Sequence, residues 1–69
     1  MTKDHFIAQY ERFIQEVEEQ NLTVTNSKWK IYDQNFENYL LECYPRYKEE
    51  LSFSQRQSII YDAVRYYFL

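Results

Sequence analysis

Cys43, His5 and the neighbouring carboxylates Glu18/Glu19 and Glu49/Glu50 are the side chains of this sequence whose types could carry chemistry. A cysteine nucleophile needs an adjacent base to raise its thiolate fraction. The only histidine, His5, falls on the polar side of the first helical segment, whereas Cys43 falls on an apolar stripe of the second, where a small thiol is inert core material. With one Cys and one His, no internal disulfide and no all-Cys/His zinc site can form. Consecutive glutamates diverge on a helix, so the acidic pairs read as solvated faces rather than as paired catalytic groups.

Ser58 and Asp62, in "SIIYD", stand one helical turn apart. Their spacing resembles the Ser-x-x-x-Asp signature of small helical phosphatases that act on phosphorylated response regulators. The likeness ends with these five residues and transfers no function. The chain has no glycine, hence no Gly-rich phosphate cradle, and no catalytic triad is in evidence. A non-enzymatic protein without catalytic residues, cofactor or metal is therefore expected.

Two charged groupings suggest macromolecular partners. Arg46, Tyr47, Lys48, Gln55, Arg56, Gln57 and Arg65 mix basic, aromatic and amide side chains around the third helical segment. A DNA reader would expose such groups near the start of its recognition helix. Glu49, Glu50 and Asp62 interrupt the grouping, and a net charge of -3 is poorly suited to neutralising many phosphates. On the first segment, Asp4, Glu11, Glu18 and Glu19, helped by Glu16, form an acidic face that could imitate a row of phosphates in front of a basic groove.

The elements that must position these groups follow from composition and periodicity. At 69 residues there is room for one domain, residues 1–69, with a small core that would gain from a partner. Eight Tyr, five Phe and one Trp supply that core or an interface. The absence of Gly and the single Pro leave few turn formers, so the expected class is all-α. There is no apolar run long enough to span a membrane, and "MTKDHFIAQYERF" lacks the order of a signal peptide, so a cytoplasmic location is expected. The acceptor-like "NLT" at Asn21 then matches glycosylation by chance.

Phe6, Ile7, Tyr10, Phe13, Ile14 and Val17 recur at helical spacing over residues 3–20, with Thr2 as the N-cap, and cover roughly 120°. Trp29, Tyr32, Phe36, Tyr39, Leu40 and Cys43 form a stripe over 27–43 behind an Asn26 or Ser27 cap, with Pro45 predicted to end the helix near Cys43. "PRYKEELS" could add a short helical turn. Ser52 and Gln55 then form a capping-box pattern opening a third helix over 53–68.

Phe53, Ile60, Val64 and Tyr67 lie at the centre of that third helix's apolar surface. Ile59, Ala63 and Tyr66 flank it on one side, and Tyr61 and Phe68 on the other, for a total of roughly 220°. The predicted core is Phe6, Tyr10, Phe13, Ile14, Val17, Trp29, Tyr32, Phe36, Leu40, Ile60, Val64 and Tyr67.

The excess width of the third helix predicts an interface. Its expected contact residues are Tyr47, Tyr61, Arg65, Tyr66, Phe68 and Leu69. The whole reads as a compact three-helix bundle that dimerises through its last helix and works as a protein-binding regulator, inhibitor or adaptor. The alternative is a small DNA-binding transcriptional or nucleoid regulator using the third helix and the loop before it.

Overall fold

Helix α1 (Lys3–Gln20) starts where Thr2, in extended backbone, accepts a hydrogen bond from the His5 N–H at 3.2 Å. It ends at Asn21, whose left-handed backbone (φ 48°, ψ 51°) does the work of the missing glycine. The computed structural model describes residues 2–69 and shows no strand among them. The next segment is held by Trp29, whose indole N–H donates to the Thr23 carbonyl at 2.7 Å, and by Asn26, whose side-chain oxygen accepts from the Lys28 N–H at 2.9 Å.

Helix α2 (Lys28–Asn38) does not stop ahead of Pro45, contrary to expectation. It widens into a π turn over Tyr39–Cys43 and continues as α3 (Tyr44–Tyr47), with Tyr44 itself helical at φ -58° and ψ -48°. The Tyr44 N–H reaches back to the Tyr39 carbonyl. This widened turn shifts the hydrogen-bond ladder just ahead of the proline ring, so Pro45 enters the first turn of α3, where its missing N–H costs nothing.

A 3-10 turn (Lys48–Glu50) follows, and then α4 (Phe53–Tyr67) opens with the predicted capping box. The Ser52 hydroxyl accepts from the Gln55 N–H at 3.1 Å, and the Gln55 side chain accepts from the Ser52 N–H at 2.9 Å.

The core runs along α1. Phe6, Tyr10, Ile14 and Val17 are sealed from solvent, joined by Phe36, Tyr47, Leu51, Ile59 and Tyr66. Aromatic rings supply most of it. An unbroken series of ring contacts links Tyr47 to Phe6, Tyr10, Tyr39, Phe13, Tyr66, Phe36 and finally Tyr67. Each such pair adds about 0.5–1.5 kcal/mol beyond its buried area.

The predicted bundle is all-α with three long helices, as observed, but the predicted rotation of α4 is corrected. Ile59, Ala63 and Tyr66 turn inward, while Ile60, Val64 and Tyr67, expected in the core, face water. The body measures 37 × 19 × 15 Å. With helix axes 8–10 Å apart, so thin a body leaves every helix an outward side. A stripe of roughly 220° on α4 therefore cannot be covered within one copy. No helix among the described residues is long and apolar enough to cross a membrane.

Candidate docking surface

The inward flank of α4 is chosen by specific contacts. Tyr66 stacks on Phe36 at 4.0 Å, its hydroxyl donates to Asp33 at 2.7 Å, and the Tyr10 hydroxyl donates to the Ile59 carbonyl at 3.0 Å. Once these anchors are made, the other flank points outward. Phe53, Ile60, Tyr61, Val64, Tyr67 and Phe68 are all exposed, from about half for Ile60 and Val64 to 85% for Phe68.

Phe53, Gln57, Ile60, Val64 and Tyr67 follow one another at steps of four and three, the spacing of a helix–helix seam. With Tyr61 and Phe68 beside them they occupy an arc of roughly 120° that contains no charged side chain.

The expected contact residues divide. Tyr47 and Tyr66 are core residues, 7% and 4% exposed, and cannot serve as docking contacts. Tyr47 lies against Phe6 at 5.6 Å, because the helix carries on through Pro45 and folds Tyr47 under α1. Tyr61, Arg65, Phe68 and Leu69 do come together, lining a shallow cleft of about 440 Å³ with Val64 and Glu18. Arg65 is anchored at its rim, donating to Glu18 at 2.6 and 2.7 Å and lying 3.7 Å from Asp62.

Sequence reasoning missed Phe53, Ile60, Val64 and Tyr67 as surface residues. No periodicity signal separates them from the inward flank, because Ile59, Ala63 and Tyr66 recur at the same steps of four and three.

The basic grouping is split: Arg46 and Lys48 are exposed, whereas Arg56, Arg65 and Tyr47 are engaged within their own copy. Arg56 donates through Nε and Nη2 to the Lys48 carbonyl at 3.1 and 2.7 Å, so its head is turned back onto the preceding turn. Arg65 is tied to Glu18, and Tyr47 is buried. The acidic face of α1 is exposed as expected, with Asp4, Glu11 and Glu18 in register at successive double turns and Glu19 beside them. Glu18 is engaged by Arg65, Glu19 accepts from Gln15 at 3.2 Å, and Glu16 pairs loosely with Arg12 at 3.9 Å.

His5 is exposed and Cys43 is half-buried. Ser58 faces solvent while Asp62 is buried, and no group of three potential metal ligands exists among the described residues.

Among the described residues Asp62 is the one buried charge, at 8% exposure. Burial holds its carboxyl above the usual carboxylate range, with the Arg65 guanidinium pulling the other way. A raised folded-state pKa contributes stability that is present below the unfolded-state pKa and lost as pH rises through the folded one. Ionised Asp62 is thus a destabilising element at neutral pH. Asp62→Asn should raise the thermal midpoint at pH 7, and the gain should shrink in parallel melts below the carboxylate range. A lower midpoint at pH 7 would show that the Arg65 contact outweighs desolvation.

Compared with known protein families, characterised proteins and solved structures, the chain matches none of them.

Proposed function

We propose that the protein is a non-enzymatic protein-binding module, a regulator, inhibitor or adaptor, that acts through the outward face of α4. The observation that carries this reading is the uncharged arc bearing Phe53, Ile60, Tyr61, Val64, Tyr67 and Phe68. Monomeric proteins rarely leave a contiguous apolar patch above a few hundred Å² open to water. Four exposed aromatic side chains alone, at about 150 Å² each, reach roughly 600 Å². Aromatic enrichment with charge depletion is the composition found at the centre of protein interfaces. The DNA-binding alternative has less support, because Arg56 and Arg65 already spend donors on partners in their own copy, which leaves Arg46 and Lys48 as the exposed cations of that grouping.

The test is a nuclease-treated pull-down from native lysate with tagged wild type beside a Tyr61→Ala, Phe68→Ala double variant. Both positions are well exposed, so the variant should fold as wild type does. Wild type should retain a protein, either a different chain or an untagged copy of itself, that the variant loses by tenfold or more. Equal retention by both would remove α4 as the docking face. Capture that disappears with nuclease in both samples would move the reading to the DNA-binding alternative.

A further inference from the structure

We infer that the occupant of the outward α4 face is a second copy of this chain, its own α4 lying antiparallel across a two-fold axis near Ile60 and Tyr61. The inference rests on the docking reading above and names the partner.

Three observations carry it. The first is charge. The arc from Tyr67 through Phe53, Ile60, Val64 and Gln57 to Phe68 and Tyr61 bears no formal charge, in a chain whose remaining surface carries a net -3. The two copies carry like net charge; along this strip they meet without like-charge contact. Arg56 and Arg65 border the strip on opposite sides, so an antiparallel pairing does not set one against the other, and both heads are already bonded within their own copy.

The second is shape. In a two-fold contact, residue i meets j and j meets i. Turning one α4 end for end about Ile60 brings the Phe53 ring of each copy to the Phe68 end of the other, beside the cleft of about 440 Å³ whose apolar wall is Tyr61, Val64, Phe68 and Leu69 and whose rim is the Arg65–Glu18 pair. Phe53 is 76% exposed. An aromatic ring seated in a partner's cleft is the usual form of an interface hot spot. Facing the axis, Ile60 and Val64 are slimmer than the rings at the ends, and the Tyr61 ring lies to one side of them, which lets the two helices approach. Gln57 then sits opposite Val64 of the other copy, a polar group in the seam of the kind that fixes register. Antiparallel packing also opposes the helix dipoles favourably.

The third is area. Phe53, Tyr61, Tyr67 and Phe68 supply roughly 600 Å² per copy. Ile60 and Val64, each about half exposed, raise this toward the roughly 800 Å² per partner of a stable interface.

The experiment is sedimentation equilibrium on purified wild type, Ile60→Glu, Ile60→Lys, an equimolar mixture of the two charged variants, and Phe53→Ala. Far-UV circular dichroism checks that each is folded. Ile60 lies near the two-fold axis and is half exposed, so a charge there is tolerated in the monomer but repels its own image in the dimer. Wild type should be a dimer, each charged variant a monomer of unchanged helicity, and the mixture a heterodimer. Phe53→Ala should weaken the dimer by tenfold or more.

Monomeric wild type at several hundred micromolar overturns the inference. So does a dimer that survives both Ile60 charges, or charged variants that stay apart when mixed. If wild type is monomeric while Tyr61→Ala with Phe68→Ala still abolishes capture of a different protein, the docking reading stands and only the partner is wrong. If wild type is monomeric and capture is also unaffected, both fall.

Discussion

Tyr66→Ala should leave the domain unfolded at room temperature, while Tyr66→Phe should leave it folded and only modestly weakened. Tyr66 is 4% exposed and sits where α1, α2 and α4 meet, with Phe36 at 4.0 Å, Trp29 at 5.9 Å and Phe13 at 6.0 Å. Replacing a buried aromatic by Ala costs about 3–5 kcal/mol. A single core in a domain this small supplies about the same amount in total.

The phenylalanine variant keeps every ring contact and loses only the hydroxyl donated to Asp33. Asp33 is exposed and regains water, so the loss should be about 0.5–1.5 kcal/mol. With a urea slope near 1 kcal/mol per molar, that is a midpoint shift of about 1 M. Urea melts followed by circular dichroism separate the two variants. A cooperative melt for Tyr66→Ala within about 1 kcal/mol of wild type would mean that the ring is not the keystone of the core.

Alkaline unfolding should be steep and should begin just above the ordinary tyrosine range. Burial is the first cause that raises the Tyr10 hydroxyl well above its ordinary pKa, followed by the Asp62 charge. Burial also comes first at Tyr66, followed by the hydrogen bond to Asp33. Tyr39 moves in the same direction for the same first reason.

Below about pH 10 folded and unfolded chains hold the same tyrosine protons, so these groups give no pH dependence. Above it the unfolded chain releases protons that the folded one retains, and stability falls by about 1.4 kcal/mol per pH unit for each such tyrosine. Tyr10 and Tyr66 together give about 2.7 kcal/mol per unit, enough to unfold a marginal domain within one to two units of pH 10. Tyrosinate absorbance and circular dichroism should change together in one step. Tyr10→Phe should flatten the slope of stability against pH by one tyrosine's share. Complete tyrosine ionisation with the helix signal intact would show that these hydroxyls are not sealed.

Local rules were legible in the residues wherever one local interaction decides the outcome. The Thr2 cap, the Ser52–Gln55 box and the narrow stripe of α1 each depend on side chains a few positions apart, and each appears as expected. Pro45 misled because the bias against helical backbone before proline is a preference that Tyr44 overrides at φ -58° and ψ -48°, while the π turn over Tyr39–Cys43 shifts the hydrogen-bond ladder that the proline ring would otherwise interrupt. Tyr47 and Leu51 then reach the core by a path no local rule shows.

The rotation of α4 was not legible either. An apolar surface of roughly 220° has no unique centre by periodicity, and the choice belongs to tertiary partners, Asp33 and Phe36 on α2 and Tyr10 on α1. That single rotation moved Tyr66 into the core and brought Ile60, Val64 and Tyr67 to the surface. The exposed apolar face was visible as an excess of apolar residues on α4, but not as a list of the residues that form it.

The bond from the Tyr10 hydroxyl to the Ile59 carbonyl joins residues 49 apart in the chain, and Glu18 and Arg65 are joined across 47. Seen from the growing polypeptide, the apolar stripe of α1 emerges long before the helix that covers it. At about 5–20 residues per second, synthesis leaves Phe6, Tyr10, Ile14 and Val17 without α4 for some seconds, far longer than a small helical domain needs to fold. The pace of translation, rather than of folding, therefore sets how long this sticky face stays open to chaperones and to the same stripe on neighbouring nascent chains.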